Sequence, residues 1–136
     1  MKTAELIGMQ LNLQVARADP MCTGLTFEPR GDHFVGLGDV DGRADVCAFI
    51  HGGNILAEMR LRKLYGAECY APSSNWQQGG PIIEREQSGF DFDGLAWIAW
   101  SKRTDVADNT MSGPTPLVAA MRAFVASKYG DTVPDA

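Results

Sequence analysis

Apolar positions recur along this chain with two rhythms. Leu6, Met9, Leu13 and Ala16 fall at helical spacing, and Ile7, Leu11 and Val15 broaden the stripe. The pattern predicts a helix over 4–18, with Thr3 as N-cap and Glu5 in a first turn that favours negative charge. Asp19-Pro20 ends it, because the residue before a proline avoids the α region. Short β-prone runs follow at Leu25-Thr26-Phe27, His33-Phe34-Val35 and 46–50. Turn formers at 29–32 and 38–42 separate them, which predicts antiparallel strands in a meander. Asn54 is placed to cap a helix over 55–65 made of strong helix formers, and Gly66 is a suitable stop, with a strand as the alternative reading.

The second half reads as follows. Glu68-Cys69-Tyr70 is a strand leading into a glycine-rich loop at Gly79-Gly80-Pro81. Ile82 to Glu86 is a further strand, and 90–94 is a turn. The run 95–101 is a buried central strand with Trp97 and Ala99 on one face and Ile98 and Trp100 on the other. Residues 102–112 form a polar loop. Gly113-Pro114-Thr115-Pro116 then starts the clearest helix, with Thr115 at the N-cap and Pro116 at N1, where a missing N–H costs nothing. Leu117, Ala120, Met121, Phe124 and Val125 form its core stripe, and Gly130 ends it. Strands come in runs and are not interleaved regularly with helices. The expected fold is therefore α+β, a single domain over 1–136 whose antiparallel sheet is packed by the N-terminal and C-terminal helices.

Composition narrows the function classes. The 136 residues suffice for one core, and 45% hydrophobic with 21% charged residues is a globular balance. A net charge of -5 argues against non-specific nucleic-acid binding, which needs a basic face. Arg60, Arg62 and Lys63 form the one basic cluster, read as a solvated helix face. Cys22, Cys47 and Cys69 are odd in number and match no zinc spacing, so they read as free thiols of a reduced, cytoplasmic protein. No apolar run approaches membrane-spanning length and no signal peptide is visible. Asp39, Asp41 and Gly42 lack the remaining ligands of a calcium loop, so no metal site is expected.

Three segments together carry a family resemblance: Met1 to Leu6 with the helix that follows, Pro72 to Glu86, and Gly113 to Lys128. In order and content they resemble the NinX-like proteins of phages and prophages, a family without an assigned reaction. The resemblance implies a phage-derived accessory protein acting in a bacterial host cytoplasm. Asn12-Leu13 stands where the family has Asp-Trp, and Ser74-Asn75 where it has Thr-Asp. Nothing that depends on an acidic residue at 12 or 75 carries over. Residues from about 21 to 69 are longer than the family's usual connection and read as an insertion.

The candidate chemistry lies in the two glycine–proline motifs. A helix N-terminus at Gly113-Pro114-Thr115-Pro116 exposes backbone N–H groups that suit an anion. Gly79 and Gly80 would let a ligand approach the backbone closely. Trp76 would stack on a ring, and Arg85 and Arg122 would supply charge to a phosphate. Together, Trp76, Gly79, Gly80, Arg85, Gly113, Thr115 and Arg122 describe a site for a nucleotide or another small phosphorylated molecule, provided the two motifs meet. Bland readings stand beside these: a helix start without a ligand, a tight turn, a packing tryptophan, Arg85 as a solvated charge or salt-bridge partner, and Asn75 as an Asx-turn residue.

No nucleophile elbow, Walker loop or dinucleotide fingerprint is present. His33 and His51 sit in no catalytic motif, and Glu84 and Glu86 on a strand would face opposite sides. The expectation is binding without catalysis or cofactor. The alternative is a protein–protein module that engages a host or phage protein through Trp76, Phe90, Phe92 and Trp100. Homo-oligomerisation fits either reading.

Overall fold

The protein is described by a computed structural model over residues 1–102 and 109–134. The first helix is shorter than its apolar stripe suggests. Thr3–Glu5 forms a single 3-10 turn, and α1 runs Gly8–Ala18. Gly8 at φ +57° breaks the two apart. Thr3 does not cap α1. Its hydroxyl donates to the Gly130 carbonyl at 2.7 Å, and its N–H donates to Asp131 O at 2.8 Å, so the N-terminus is tied to the far end of the chain.

The meander is present as β1 (Thr26–Arg30), β2 (His33–Val40) and β3 (Arg43–His51), all antiparallel. Helix α2 (Ile55–Tyr65) follows. The Asn54 side chain accepts from Leu56 N and Ala57 N, and Gly66 closes the helix in the left-handed region, as the sequence predicts. The short β4 (Glu68–Cys69) then returns parallel to β3, giving a four-stranded sheet in the order β1-β2-β3-β4.

The stretch expected to be a glycine loop and a strand is one helix, α3 (Trp76–Glu86). Asn75 caps it by accepting from Gln77 N. Gln78 anchors its first turn to the preceding segment, accepting from Ala71 N and donating to Cys69 O at 2.8 Å. Gly79, Ile82 and Glu86 form its buried stripe. Pro81 lies inside this helix on its exposed side, where the hydrogen bond lost to its missing N–H is left to solvent.

A second, three-stranded antiparallel sheet takes the rest: β5 (Gly89–Phe92), β6 (Trp97–Trp100) and β7 (Met111–Gly113). The 90–94 turn is therefore mostly strand, and β6 is central in its sheet as expected. The expected single sheet is two, and most of the polar loop at 102–112 lies outside the described residues. Helix α4 (Pro116–Tyr129) is capped by Thr115, whose hydroxyl accepts from Val118 N at 3.1 Å. It packs on β6, β7, α1 and α3 and is buried on nearly every side. Its Phe124 and Met121 join Leu6, Leu11, Ile82 and Ala99 in the main core. The architecture is a single α+β domain organised around α4.

Candidate functional site

Close packing draws the two glycine–proline motifs together. A Cβ on Gly79 would collide with the Pro72 carbonyl oxygen and would lie 2.6 Å from Leu117 Cδ2. A Cβ on Gly113 would lie 2.7 Å from Ala119 N. The first turn of α3 therefore sits directly on the first turn of α4, and a methyl group on Gly79 would force them apart, while one on Gly113 would collide with the start of α4 itself.

This contact leaves a hollow of about 400 Å³ above it, walled by Trp76, Ser73 and Ser74 on one side and Pro114 to Val118 on the other, with Ile7 between. A second hollow of about 240 Å³ shares Ile7, Ser73, Ser74 and Val118 and adds Gly8, Asn12, His51 and Glu58. Three helices begin at this groove: α1 at Gly8, α3 at Trp76 and α4 at Pro116. Asn75 and Thr115 each satisfy one amide at their helix starts, while α1 has no side-chain cap. Each start carries roughly half a positive charge from the aligned peptide dipoles. No lysine or arginine is among the walls of either hollow.

Of the candidate site residues, Trp76 and Thr115 line the groove, and Gly113 lies immediately before its wall. Trp76 is half exposed at the rim. Gly79 is buried beneath it, and Gly80 is part of the α3 helix and forms no loop.

The two arginines are engaged elsewhere. Arg122 donates from Nε to Leu6 O at 2.7 Å and from a terminal nitrogen to Ser112 O at 2.8 Å, tying the N-terminal segment to β7; burial pushes its guanidinium down. Arg85 bridges Asp19 at 2.9 Å and Glu86 at 3.0 Å, with its guanidinium over the Phe124 ring. Asp19 also accepts from the Tyr70 hydroxyl at 2.8 Å. Burial, then the Asp19 charge, pushes that phenol far above its ordinary value.

Sequence reasoning did not find the groove residues Ser73, Ser74, Asn12 and His51. Asn12 Oδ1 accepts from Ser73 N at 3.0 Å and so fixes the wall. A carboxylate at this position would accept the same bond.

His51 faces His33 across β2 and β3, and Asp32 bridges both rings, at 3.3 Å to His51 Nε2 and 2.9 Å to His33 Nδ1. His33 Nε2 continues to the Tyr65 hydroxyl at 2.9 Å. A carboxylate only accepts, so each ring donates to it, first His33 and then His51, and this holds the Asp32 carboxyl below its ordinary value. His51 Nδ1 meets no partner among the described residues. Burial pushes the Cys22 and Cys69 thiols up, which keeps both protonated and poorly nucleophilic.

The model of the bacteriophage P22 NinX family matches residues 2–128, nearly the whole described chain. The chain belongs to the phage P22 NinX family. Met1 apart, the three segments that carry the resemblance fall within the match: the N-terminal turn with α1, the Pro72–Glu86 segment that becomes α3, and the segment 113–128, which holds α4 up to Lys128. These segments wall the first hollow, and His51, Gly52, Gly53, Glu58 and Ala71 join them around the second. No curated protein matches the chain. None of the helices in the described residues is long and apolar enough to cross a membrane.

Proposed function

We propose that this phage accessory protein binds a small anionic ligand, a nucleotide or a molecule of similar size, in the groove between the starts of α1, α3 and α4, and does so without catalysis. One observation carries the reading: three helix N-termini converge on one groove beside an exposed tryptophan. Backbone amides and helix dipoles take the place of the arginines that the sequence suggested, and suit a phosphate or carboxylate. Trp76 offers a ring to stack on, and His51 and Glu58 in the second hollow suit the amino donors of a base. The biological setting that fits is the host cytoplasm, where such a protein would sequester a signalling nucleotide.

Calorimetric titration with a panel of linear and cyclic nucleotides tests this. Binding tighter than about 100 μM, or roughly -5.5 kcal/mol, is expected for at least one, with the signal lost in Trp76→Ala. The reading fails if the whole panel is silent at that level. A second reading, a module that docks on a host or phage protein, is favoured by the exposure of Trp76, Phe90 and Phe92. Specific capture of one host protein from lysate, abolished by substitutions at these aromatics, would support it.

A further inference from the structure

Helix α2 presents its apolar residues to solvent. Only Leu61 of its 11 residues is buried, while Ile55 is 72% exposed, Leu56 74%, Met59 59% and Leu64 68%. Ile55, Leu56 and Met59 share one side of the helix, at i, i+1 and i+4. Arg60 beside Met59 and Lys63 four positions beyond it give that stripe a basic rim, while Arg62 pairs with Glu68 at 3.6 Å. The one acidic group on α2, Glu58, is half-buried toward the second hollow.

The turn from β5 to β6 has the opposite character. Phe92 is 51% exposed and Leu95 94%. Asp91 and Asp93 stand beside them. The Leu95 and Ala96 amides donate to Asp93 at 2.8 Å each, which fixes the turn and holds a negative charge at its tip. The ring of Phe92 rests on Trp97 at 5.3 Å, so the tip is a preformed, rigid apolar knob with acidic neighbours.

We infer that these two surfaces are the halves of one interface between copies of this chain: the acidic Phe92–Leu95 knob of one copy docks on the basic, apolar face of α2 in another. Charge complementarity decides the occupant. Two α2 faces meeting symmetrically would set Arg60 and Lys63 against Arg60 and Lys63, and two knobs would set Asp93 against Asp93. Only the head-to-tail pairing places opposite charges around apolar contact. Such a contact is heterologous, so it builds a ring or an open chain and not a two-fold dimer.

Analytical ultracentrifugation of the full chain, alone and as mixed variants, tests it. Wild type is expected to sediment as concentration-dependent species heavier than the monomer. Met59→Glu repels the acidic knob, and Leu95→Lys repels the basic helix face. Both positions are exposed, and circular dichroism checks that each variant is folded. Each variant alone is expected to be monomeric. Their equimolar mixture is expected to regain a 1:1 heterodimer, since it retains one intact knob and one intact α2 face. A wild type that stays monomeric up to about 1 mM overturns the inference. So does a Leu95→Lys variant that still dimerises, which would mean that α2 pairs with itself, or a mixture that stays monomeric.

Discussion

The sharpest consequence of the α3–α4 contact is that two adjacent glycines respond unequally to the same added methyl group. Gly79 and Gly80 both lie in the helix interior, neither at a positive φ, so alanine fits the backbone at Gly79, whereas at Gly80 it would stand before Pro81, whose ring crowds a Cβ in the α region. Helix propensity alone favours alanine by roughly 0.5–1 kcal/mol at each. At Gly80 nothing beyond the helix's own backbone and the flanking residues lies within 4 Å of the new Cβ, but crowding by the Pro81 ring offsets the propensity gain, and Gly80→Ala is expected to change stability by less than about 1 kcal/mol. At Gly79 the Cβ meets the Pro72 carbonyl oxygen and Leu117 Cδ2 at 2.6 Å, and a carbonyl anchored in the backbone cannot swing aside. Overpacking costs roughly 1–3 kcal/mol, here at the upper end, which leaves Gly79→Ala destabilised by about 2 kcal/mol net. The two variants should therefore differ by about 2 kcal/mol. With a urea slope near 2 kcal/mol/M, their unfolding midpoints separate by about 1 M. Equal midpoints, or a Gly79→Ala variant more stable than wild type, would refute the packing described here and restore the loop reading of this segment.

Other substitutions probe separate parts of the account. Trp76→Ala should abolish nucleotide binding in calorimetry while shifting the urea midpoint little, because the ring is half exposed. Thr115→Ala should cost about 1 kcal/mol of stability by removing the cap on α4, measured by chemical unfolding. Asp19→Asn, which removes the buried charge facing Arg85 and Tyr70, should cost about 2–3 kcal/mol, less than a fully buried pair because Arg85 reaches solvent. Asp32 gives a signed pH test. Its carboxyl is held below the ordinary value, so its contribution is complete above about pH 4 and is lost as pH falls through the lowered folded-state value. Asp32→Asn should accordingly flatten the acid limb of the stability profile below about pH 4, as followed by thermal melts.

What the sequence reveals of this fold follows from how local each signal is. Helix α2 is announced by Asn54 and Gly66, and α4 by Thr115, Pro116 and Gly130; these caps act within a few residues. The β1–β3 meander is announced by its turns. Helix α3 is not, because Gly79-Gly80-Pro81 is a turn signature in isolation, and helix is imposed there by contacts distant in sequence. Gly79 is small so that α4 can approach, and Gln78 ties the turn to β4. The stripe Gly79, Ile82 and Glu86 is a helical period that the sequence does contain, outweighed by the glycines and proline. The break between Thr3–Glu5 and α1 likewise depends on the docked C-terminal tail. The site divides the same way. Trp76 and Thr115 reach one groove through their caps, whereas Arg85 and Arg122 are drawn off by Asp19, Glu86 and backbone carbonyls that no spacing rule connects to them.

The central claim is that the three helix starts form one anion-binding groove. Amide-resolved NMR titration tests it most directly, following the full chain as the best nucleotide of the calorimetric panel, and inorganic phosphate in parallel, are added. The account predicts saturable shifts concentrated at the amides of Gly8, Met9, Trp76, Gln77, Leu117 and Val118, with Arg60 to Lys63 unmoved. Shifts confined to the basic face of α2, or none at the helix starts, would contradict it.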